Sequence, residues 1–100
     1  MNEDTLVEFS VTPLGAGESV GAYVASCVRL IESSGLEYEL HAMGTILEGS
    51  LDDCFEVVKN CVREVLKGNS RVTAAIKLDL RPGRRGRIRS KVESVRKRLK

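Results

Sequence analysis

Aromatic residues are scarce in this chain, with four among 100 residues. Sheet-based RNA-binding domains need aromatic side chains exposed on the sheet, because the bases stack on them. Here Phe9 and Tyr38 lie at core positions of predicted strands, and the other two, Tyr23 and Phe55, lie on apolar stripes of predicted helices. No stacking platform remains, which argues against nucleic acid as a partner.

Side chains for nucleophilic catalysis and metal binding are also few. His41 is the one histidine, and the sequence places no Ser or Cys beside it as a catalytic triad requires. Glu37 and Glu39 share a strand face with His41 and could ligate a metal ion, but a second His or a Cys pair is missing. We therefore expect a protein that is not an enzyme and that uses no metal or cofactor.

Cysteine usage argues against a disulfide framework. The three cysteines, Cys27, Cys54 and Cys61, cannot all pair with one another, and none belongs to a C-x-x-C motif. Cys54 and Cys61 are seven residues apart, which puts both on one face of a helix among apolar residues. We expect both thiols to be buried as small apolar side chains.

Long apolar runs are absent as well. No stretch approaches the roughly 20 residues that a membrane-spanning helix needs. The first four residues, MNED, are acidic, which is not typical of a signal peptide. These features predict a cytoplasmic protein without a membrane partner, and the length predicts one domain over residues 1–100.

Charge is divided unevenly along the chain. Residues 1–80 carry 6 Lys or Arg and 13 Asp or Glu, a net charge of −7, whereas residues 81–100 carry 10 Lys or Arg and one Glu, a net charge of +9. Clustered basic side chains are the electrostatic footprint of phosphate contacts. The basic C-terminal segment, residues 81–100, therefore leaves a structural or nucleic-acid-associated oligomer open as an alternative function.

Alternation of apolar and polar residues predicts four strands. They cover residues 5–13, 36–42, 45–48 and 71–80, and the middle two form a hairpin within residues 35–49. Gly44 supplies the backbone freedom that a tight reversal after Met43 needs.

Apolar residues at three- and four-residue spacing predict two long helices and a short third one. Ser19 is the expected N-cap of the first helix, which ends near Gly35, and Ser50 is the expected N-cap of the second, which ends near Gly68. The stripe of the second helix is the strongest in the chain and consists of Leu51, Cys54, Phe55, Val58, Cys61, Val62 and Val65. A basic loop over residues 81–86 precedes the third helix, whose narrow stripe should dock on the body or on a second subunit and consists of Ile88, Val92, Val95 and Leu99.

The order strand, helix, strand, strand, helix, strand, short helix predicts an α+β fold, the ferredoxin-like βαββαβ arrangement. A four-stranded antiparallel sheet then carries the two long helices on one face, and a short C-terminal helix follows. The other face is polar, and either Thr45 or Glu48 must join it, depending on the register of the third strand. A sheet covered on one face leaves its other face and its edges for partners, so we expect a homodimer or homotetramer.

Three phrases of the sequence resemble a known family. They are VEFSVTPLGAGESVGAYVA (residues 7–25), SGLEYELHAMGTILEG (residues 34–49) and RVTAAIKLDLRPG (residues 71–83). They look like the small thiamine-binding protein family, which is related to the YkoF-like proteins. The resemblance implies ferredoxin-like subunits that assemble through their sheets into dimers and tetramers. It also implies binding of thiamine, or of its hydroxymethylpyrimidine part, without catalysis.

The resemblance also implies candidate ligand-binding residues at the positions that match the family motifs. These are Ser10, Thr12, Pro13, Gly15, Met43, Gly44, Thr45, Glu48, Lys77, Asp79 and Arg81. Beyond Gly83 the chain departs from the family pattern, because PGRRGRIR is unusually basic.

The residue types at these positions fit a thiamine-like cation. Glu8, Glu48 and Asp79 could compensate a positive thiazolium. The hydroxyl groups of Ser10, Thr12 and Thr45 can both donate to and accept from an aminopyrimidine, and Met43 offers an adaptable surface for the ring. We therefore expect the site on the polar sheet face near the ends of the first and last strands, extended by the hairpin.

Overall fold

The computed structural model describes residues 3–15 and 21–100. Its elements are β1 (Asp4–Pro13), α1 (Gly21–Ser34), β2 (Glu37–His41), β3 (Gly44–Ser50), α2 (Leu51–Leu66), β4 (Val72–Leu80) and α3 (Arg87–Arg98). The element order confirms the prediction from periodicity. Ser19, the expected N-cap of the first helix, lies outside the described residues.

The four strands form one antiparallel sheet in the order β2-β3-β1-β4. This is the ferredoxin-like α+β fold predicted from the sequence. The register answers the question left open for β3. Thr45 pairs with Phe9 and therefore shares its helix-facing side, whereas Glu48 pairs with Leu6 on the opposite side.

The core lies between the sheet and the first two helices. Its buried residues are Val7, Phe9, Ile31, Leu47, Cys54, Val57, Val58 and Cys61. Outward along the sheet, the helix-facing residues of the edge strands are only partly covered: Leu40 on β2 is 52% exposed and Leu78 on β4 is 46% exposed. The alternation predicted which way these side chains point, but not how far the helices reach over the edges.

α2 follows its predicted local chemistry closely. The Ser50 hydroxyl accepts a hydrogen bond from the Asp53 backbone N–H at 3.1 Å, as an N-cap does. One position of the predicted apolar stripe is wrong, because Phe55 is exposed whereas Val57 is buried. The buried face of α2 is therefore rotated by part of a turn from the one that the pattern indicated.

α3 lies against the face of the sheet that α1 and α2 leave open. Ile88 borders a cavity there together with Leu6 and Ile46 of the sheet. The later positions of the stripe project from the body, with Val95 57% exposed and Leu99 80% exposed. Within the described residues, no helix is both long enough and apolar enough to span a membrane.

Candidate functional site

A cleft of about 410 Å³ opens between α1 and the helix-facing side of the sheet. We call it the α1 cleft, and its residues come from β1, α1 and the hairpin formed by β2 and β3. From β1 they are Phe9, Ser10, Val11 and Thr12; from α1, Tyr23, Val24, Cys27, Val28 and Ile31; from the β2–β3 hairpin, Leu40, His41, Ala42, Met43, Gly44 and Thr45. Five of the predicted site residues, Ser10, Thr12, Met43, Gly44 and Thr45, therefore come together here.

The cleft exists because the pairing between β1 and β3 stops before the end of β1. The last pair between these strands is Phe9 with Thr45, and β1 continues to Pro13 beside β4 alone. The edge of β1 beyond Phe9 therefore has no strand partner on the hairpin side among the described residues.

That edge presents the backbone of Val11. Even-numbered residues of β1 direct their backbone groups toward β4, since Leu14 N–H donates to Arg71 O at 2.9 Å and Asp4 O accepts from Arg81 N–H at 3.0 Å. In an antiparallel strand successive residues alternate between the two sides. Val11 therefore directs both its N–H and its C=O into the α1 cleft, next to its own side chain.

Side chains add an apolar wall and one buried hydroxyl group to the cleft. Val24 and Leu40 are 46% and 52% exposed, so each has surface left for a ligand. Thr45 is 7% exposed and belongs to the helix-facing side, so of the two arrangements that the sequence left open, the one with Thr45 on the cleft side of the sheet is correct. Ser10 and Thr12 border the cleft, but the alternation turns their side chains to the opposite face.

Gly44 is required by a close approach between the hairpin and β1. A Cβ atom at this position would lie 2.6 Å from the Phe9 carbonyl oxygen, and the residue has a φ of +154°. The glycine of the MGT motif therefore lets β3 begin directly beside β1 and sets the end of the cleft.

His41 positions the turn at the rim of the cleft. Its Nδ1 accepts a hydrogen bond from the Met43 N–H at 3.2 Å, and its Nε2 lies 3.3 Å from a Glu8 carboxylate oxygen. The ring thus ties the hairpin turn to β1. Among residues 3–15 and 21–100, no group of three or more His, Cys, Asp and Glu side chains is arranged to hold a metal ion.

The two other predicted residues from the end of β1 do not line the cleft. Pro13 is buried and pairs with Val72 across to β4. Gly15 follows the strand with a φ of +81° and has open space where a Cβ would lie.

The remaining four predicted residues lie toward the other end of the sheet, on the face that α3 approaches. Glu48 accepts hydrogen bonds from the backbone N–H groups of Gly86 and Ile88, the latter at 3.0 Å. Asp79 forms ion pairs with Lys91 at 2.9 Å and with Arg87 at 3.0 Å, and these partners hold the pKa of its carboxyl group below the ordinary value. Both carboxylates are engaged in holding α3.

Lys77 and Arg81 each line a pocket that Asp79 also lines. Lys77 lines the cavity beneath α3, and Arg81 lines a separate basic cleft beyond β4. Five of the eleven candidate residues thus line the α1 cleft, four lie toward the other end of the sheet, and Pro13 and Gly15 belong to neither group. The carboxylates of Glu48 and Asp79, which were expected beside a bound cation, bind groups of the protein itself.

Several cleft residues were not predicted as site residues. Val24 and Val28 belong to the helical periodicity of α1 and Leu40 to the alternation of β2, and an apolar side chain that faces a ligand has the same periodicity as one that faces the core. The edge at Val11, which lacks a strand partner within the described part of the chain, could be found only from the register of β3.

Comparisons with known proteins agree with this fold. The model of a family described as "Thiamine-binding protein" matches residues 7–96. A UPF0045 protein of Mycobacterium tuberculosis is 42% identical over 95 residues, which cover 94% of this chain and 93% of the relative. A UPF0045 protein of Synechocystis is 39% identical over 93 residues, which cover 92% of this chain and 77% of the relative.

Two solved structures are similar in fold. A hypothetical protein from Methanocaldococcus jannaschii has a TM-score of 0.85 at 33% identity, covering 93% of this chain and 96% of the other. A protein from Thermotoga maritima described as a putative thiamine biosynthesis/salvage protein has a TM-score of 0.74 at 20% identity, covering 89% and 98%, and at that identity it supports the fold alone. On the family match and the close relatives together, the chain belongs to the thiamine-binding protein family.

Proposed function

We propose that this protein is a non-enzymatic binding protein for thiamine or its hydroxymethylpyrimidine part, and that the ligand occupies the α1 cleft. Membership of the thiamine-binding protein family supports a small-molecule binding role. The observation that carries the location is the backbone of Val11, which has no strand partner on the hairpin side among residues 3–15 and 21–100, in a cleft with an apolar wall.

The chemistry of an aminopyrimidine matches this edge. Its ring nitrogen accepts a hydrogen bond and its adjacent amino group donates one, so the two together complement one residue's backbone N–H and C=O. Val11 directs such a pair into the cleft, and Thr45 can add a hydroxyl group. Val24, Val28 and Leu40 supply apolar surface for the faces of the ring.

Charge favours the pyrimidine part over the cationic thiazolium. Glu48 and Asp79 are paired with α3, and the Glu8 carboxylate lies against His41. None of these carboxylates lines the α1 cleft. We therefore expect the cleft to derive most of its affinity from the aminopyrimidine, with hydroxymethylpyrimidine bound about as tightly as thiamine.

Self-association belongs to the same proposal, with a second copy of the chain as the partner. β2 and β4 are unpaired sheet edges among the described residues, and β4 exposes 45% of Ile76 and 46% of Leu78. The α3 stripe adds Val95 and Leu99, which are more than half exposed. A second copy that covers these side chains removes apolar surface from water and shields the strand edges.

Calorimetry tests both the identity of the ligand and the location of its binding site. Hydroxymethylpyrimidine titrated into the full chain should bind saturably, and Val24→Asp should abolish the heat by placing a charge against the ring. Ala25→Asp is the matched control, because Ala25 is exposed on the same helix and does not line the cleft. Absence of binding, or equal loss in both variants, would contradict the proposal.

The buried hydroxyl group offers a finer comparison. Thr45→Val keeps the shape of the side chain and removes the hydrogen-bonding group, so it should weaken binding severalfold. Thr73→Val, on the open face of β4, should leave the affinity unchanged.

A further inference from the structure

A second cleft, of about 440 Å³, lies between the end of β4 and the outer side of α3. Four cationic side chains line it: Arg81, Arg84, Arg87 and Lys91. We call it the arginine cleft. Among the residues that the structure describes, Asp79 is the one carboxylate that lines it, and Ser90 and Ser94 of α3 add hydroxyl groups.

The single carboxylate leaves most of the positive charge uncompensated. Asp79 is shared between Arg87 and Lys91, at 3.0 and 2.9 Å. Among the described residues, Arg81 and Arg84 form no ion pair, and both are exposed. Two guanidinium groups beside the cleft are thus free to bind an anion.

Arg87 contributes a positive charge that is held in place from inside the protein. It is 5% exposed, and its Nη2 atom donates to the carbonyl oxygens of Asp4 at 3.2 Å and Asp79 at 2.8 Å. Its Nε atom is buried and has no hydrogen-bond partner among the described residues. That nitrogen has almost no accessible surface, so the contribution of Arg87 to the cleft is its fixed positive charge and not a further hydrogen bond.

We propose that the arginine cleft binds the phosphate group of a small molecule. Guanidinium groups match phosphate oxygens in a planar, two-pronged geometry, and serine hydroxyl groups can donate to the oxygens that remain. Five of its seven lining residues lie beyond Gly83, where the sequence departs from the family pattern, whereas Asp79 and Arg81 are positions that match it.

This site is separate from the α1 cleft. Asp79 pairs with Leu6 near the beginning of β1. Val11 lies five residues further along β1, so the backbone positions of Leu6 and Val11 are about 17 Å apart at the rise of an extended strand. The Asp79 side chain and the α1 cleft are also on opposite faces of the sheet. The phosphate proposal therefore does not depend on the proposed function, and one small ligand cannot occupy both clefts.

A small phosphorylated molecule fits better than RNA. The four cations converge on one pocket, whereas the basic residues of the last turn of α3, such as Arg96 and Arg98, do not line it. Extended single strands are held by long basic grooves with aromatic stacking surfaces. The open face of this sheet carries no aromatic residue among the described strands.

Titration of inorganic phosphate and of pyrophosphate into the full chain, at constant ionic strength, tests the proposal. Both should bind saturably at about 1 mM or below. Arg84→Gln and Arg81→Gln should each weaken binding about tenfold, the loss expected for one hydrogen bond between charged groups. Arg96→Gln removes the same charge from α3 outside the cleft and should change the affinity by less than a factor of about two.

Three results would overturn the proposal. One is the absence of saturable binding of either anion. Another is equal weakening by Arg84→Gln and Arg96→Gln, which would indicate a diffuse basic surface. The third is tighter binding of single-stranded RNA than of pyrophosphate at the same phosphate concentration, with RNA binding weakened equally by Arg84→Gln and Arg96→Gln. Binding of hydroxymethylpyrimidine should be unaffected by Arg84→Gln, so either binding proposal can be contradicted without the other.

Discussion

Glu48 and Ile88 are 40 residues apart, yet the carboxylate of Glu48 accepts a hydrogen bond from the Ile88 backbone N–H at 3.0 Å. The same carboxylate also accepts from the N–H of Gly86, which is the N-cap of α3 and has no side-chain cap of its own. A residue of β3 therefore caps a helix that begins after the last strand. This contact fixes α3 on the sheet face that α1 and α2 leave open.

Removal of this cap should destabilise α3. We expect Glu48→Ala to lower the free energy of unfolding by about 1–2 kcal/mol, as loss of an N-cap does, and to speed hydrogen exchange of the α3 amides. Glu37→Gln is the matched control, because Glu37 lies directly opposite Glu48 on β2 and relief of like charge should be neutral or slightly stabilising. Unchanged exchange in α3 after Glu48→Ala would show that the cap does not hold the helix.

The ion pairs of Asp79 should make stability fall in acid. Two hydrogen bonds hold the folded-state pKa of Asp79 below its ordinary value of 3.8; the one from Lys91 has the larger effect, and the one from Arg87 has the smaller effect. A depressed folded-state pKa contributes stability above the unfolded-state pKa, and this contribution is lost as the pH falls through the folded-state pKa. Asp79→Asn should therefore be less stable than wild type near pH 7, and the difference in urea midpoint should shrink below about pH 4. A difference that stays constant from neutral pH to acid would contradict this account.

Cys54 and Cys61 should act as core residues. Both have no exposed surface, and burial raises the pKa of the Cys54 thiol to about 11. Cys54→Ser and Cys61→Ser each place a hydroxyl group in the core and should cost about 1–3 kcal/mol of stability. Urea unfolding measures the loss, and Cys27→Ser, at a partly exposed position, is the milder comparison.

The three thiols should also differ in reactivity. Cys27 is partly exposed, and its interaction with the Cys61 thiol lowers its pKa, whereas the pKa of Cys61 is raised. A mild alkylating reagent should therefore modify Cys27 first in the native protein, as peptide mapping would show. Modification of Cys54 or Cys61 at the same rate would show that the helices do not protect them.

The exposed stripe of α3 should matter for assembly. The variants Val95→Asp and Leu99→Asp should each shift the mass measured by light scattering at micromolar concentration toward the monomer. The reason is that burial of an aspartate charge in the interface between two copies is costly. Lys97→Glu changes the charge on the same helix away from the stripe and should preserve the assembly. A monomeric wild-type protein would defeat the oligomer proposal outright.

The fold was predictable because its local signals agree with one another. Ser50 caps α2 as predicted, and the core positions of β1 alternate as predicted. The exposure of Phe55 was not predictable, since the periodicity of α2 is satisfied equally well by a face that includes Val57. Which of these residues is buried depends on where the helix contacts the sheet, and the local sequence does not determine that tertiary contact.

The candidate site was only partly predictable. The family motifs brought Met43, Gly44 and Thr45 into one region, and the structure explains Gly44 by its approach to Phe9. The same motifs included Glu48 and Asp79, whose partners are the backbone of Gly86 and Ile88 and two cations of α3. No periodicity indicates that a strand carboxylate will bind a helix 40 residues away, so a structural role and a ligand-binding role look alike in the sequence.

The most direct test of the central claim follows the Val11 amide by NMR while hydroxymethylpyrimidine is added to the isotope-labelled chain. The account predicts a large shift of the Val11 N–H signal and smaller shifts of the Val24 and Leu40 methyl groups. The Val7 amide, which is paired with β3, should stay in place. Shifts confined to Ile46 and Val92 on the opposite face, or no shifts at all, would contradict a ligand in the α1 cleft.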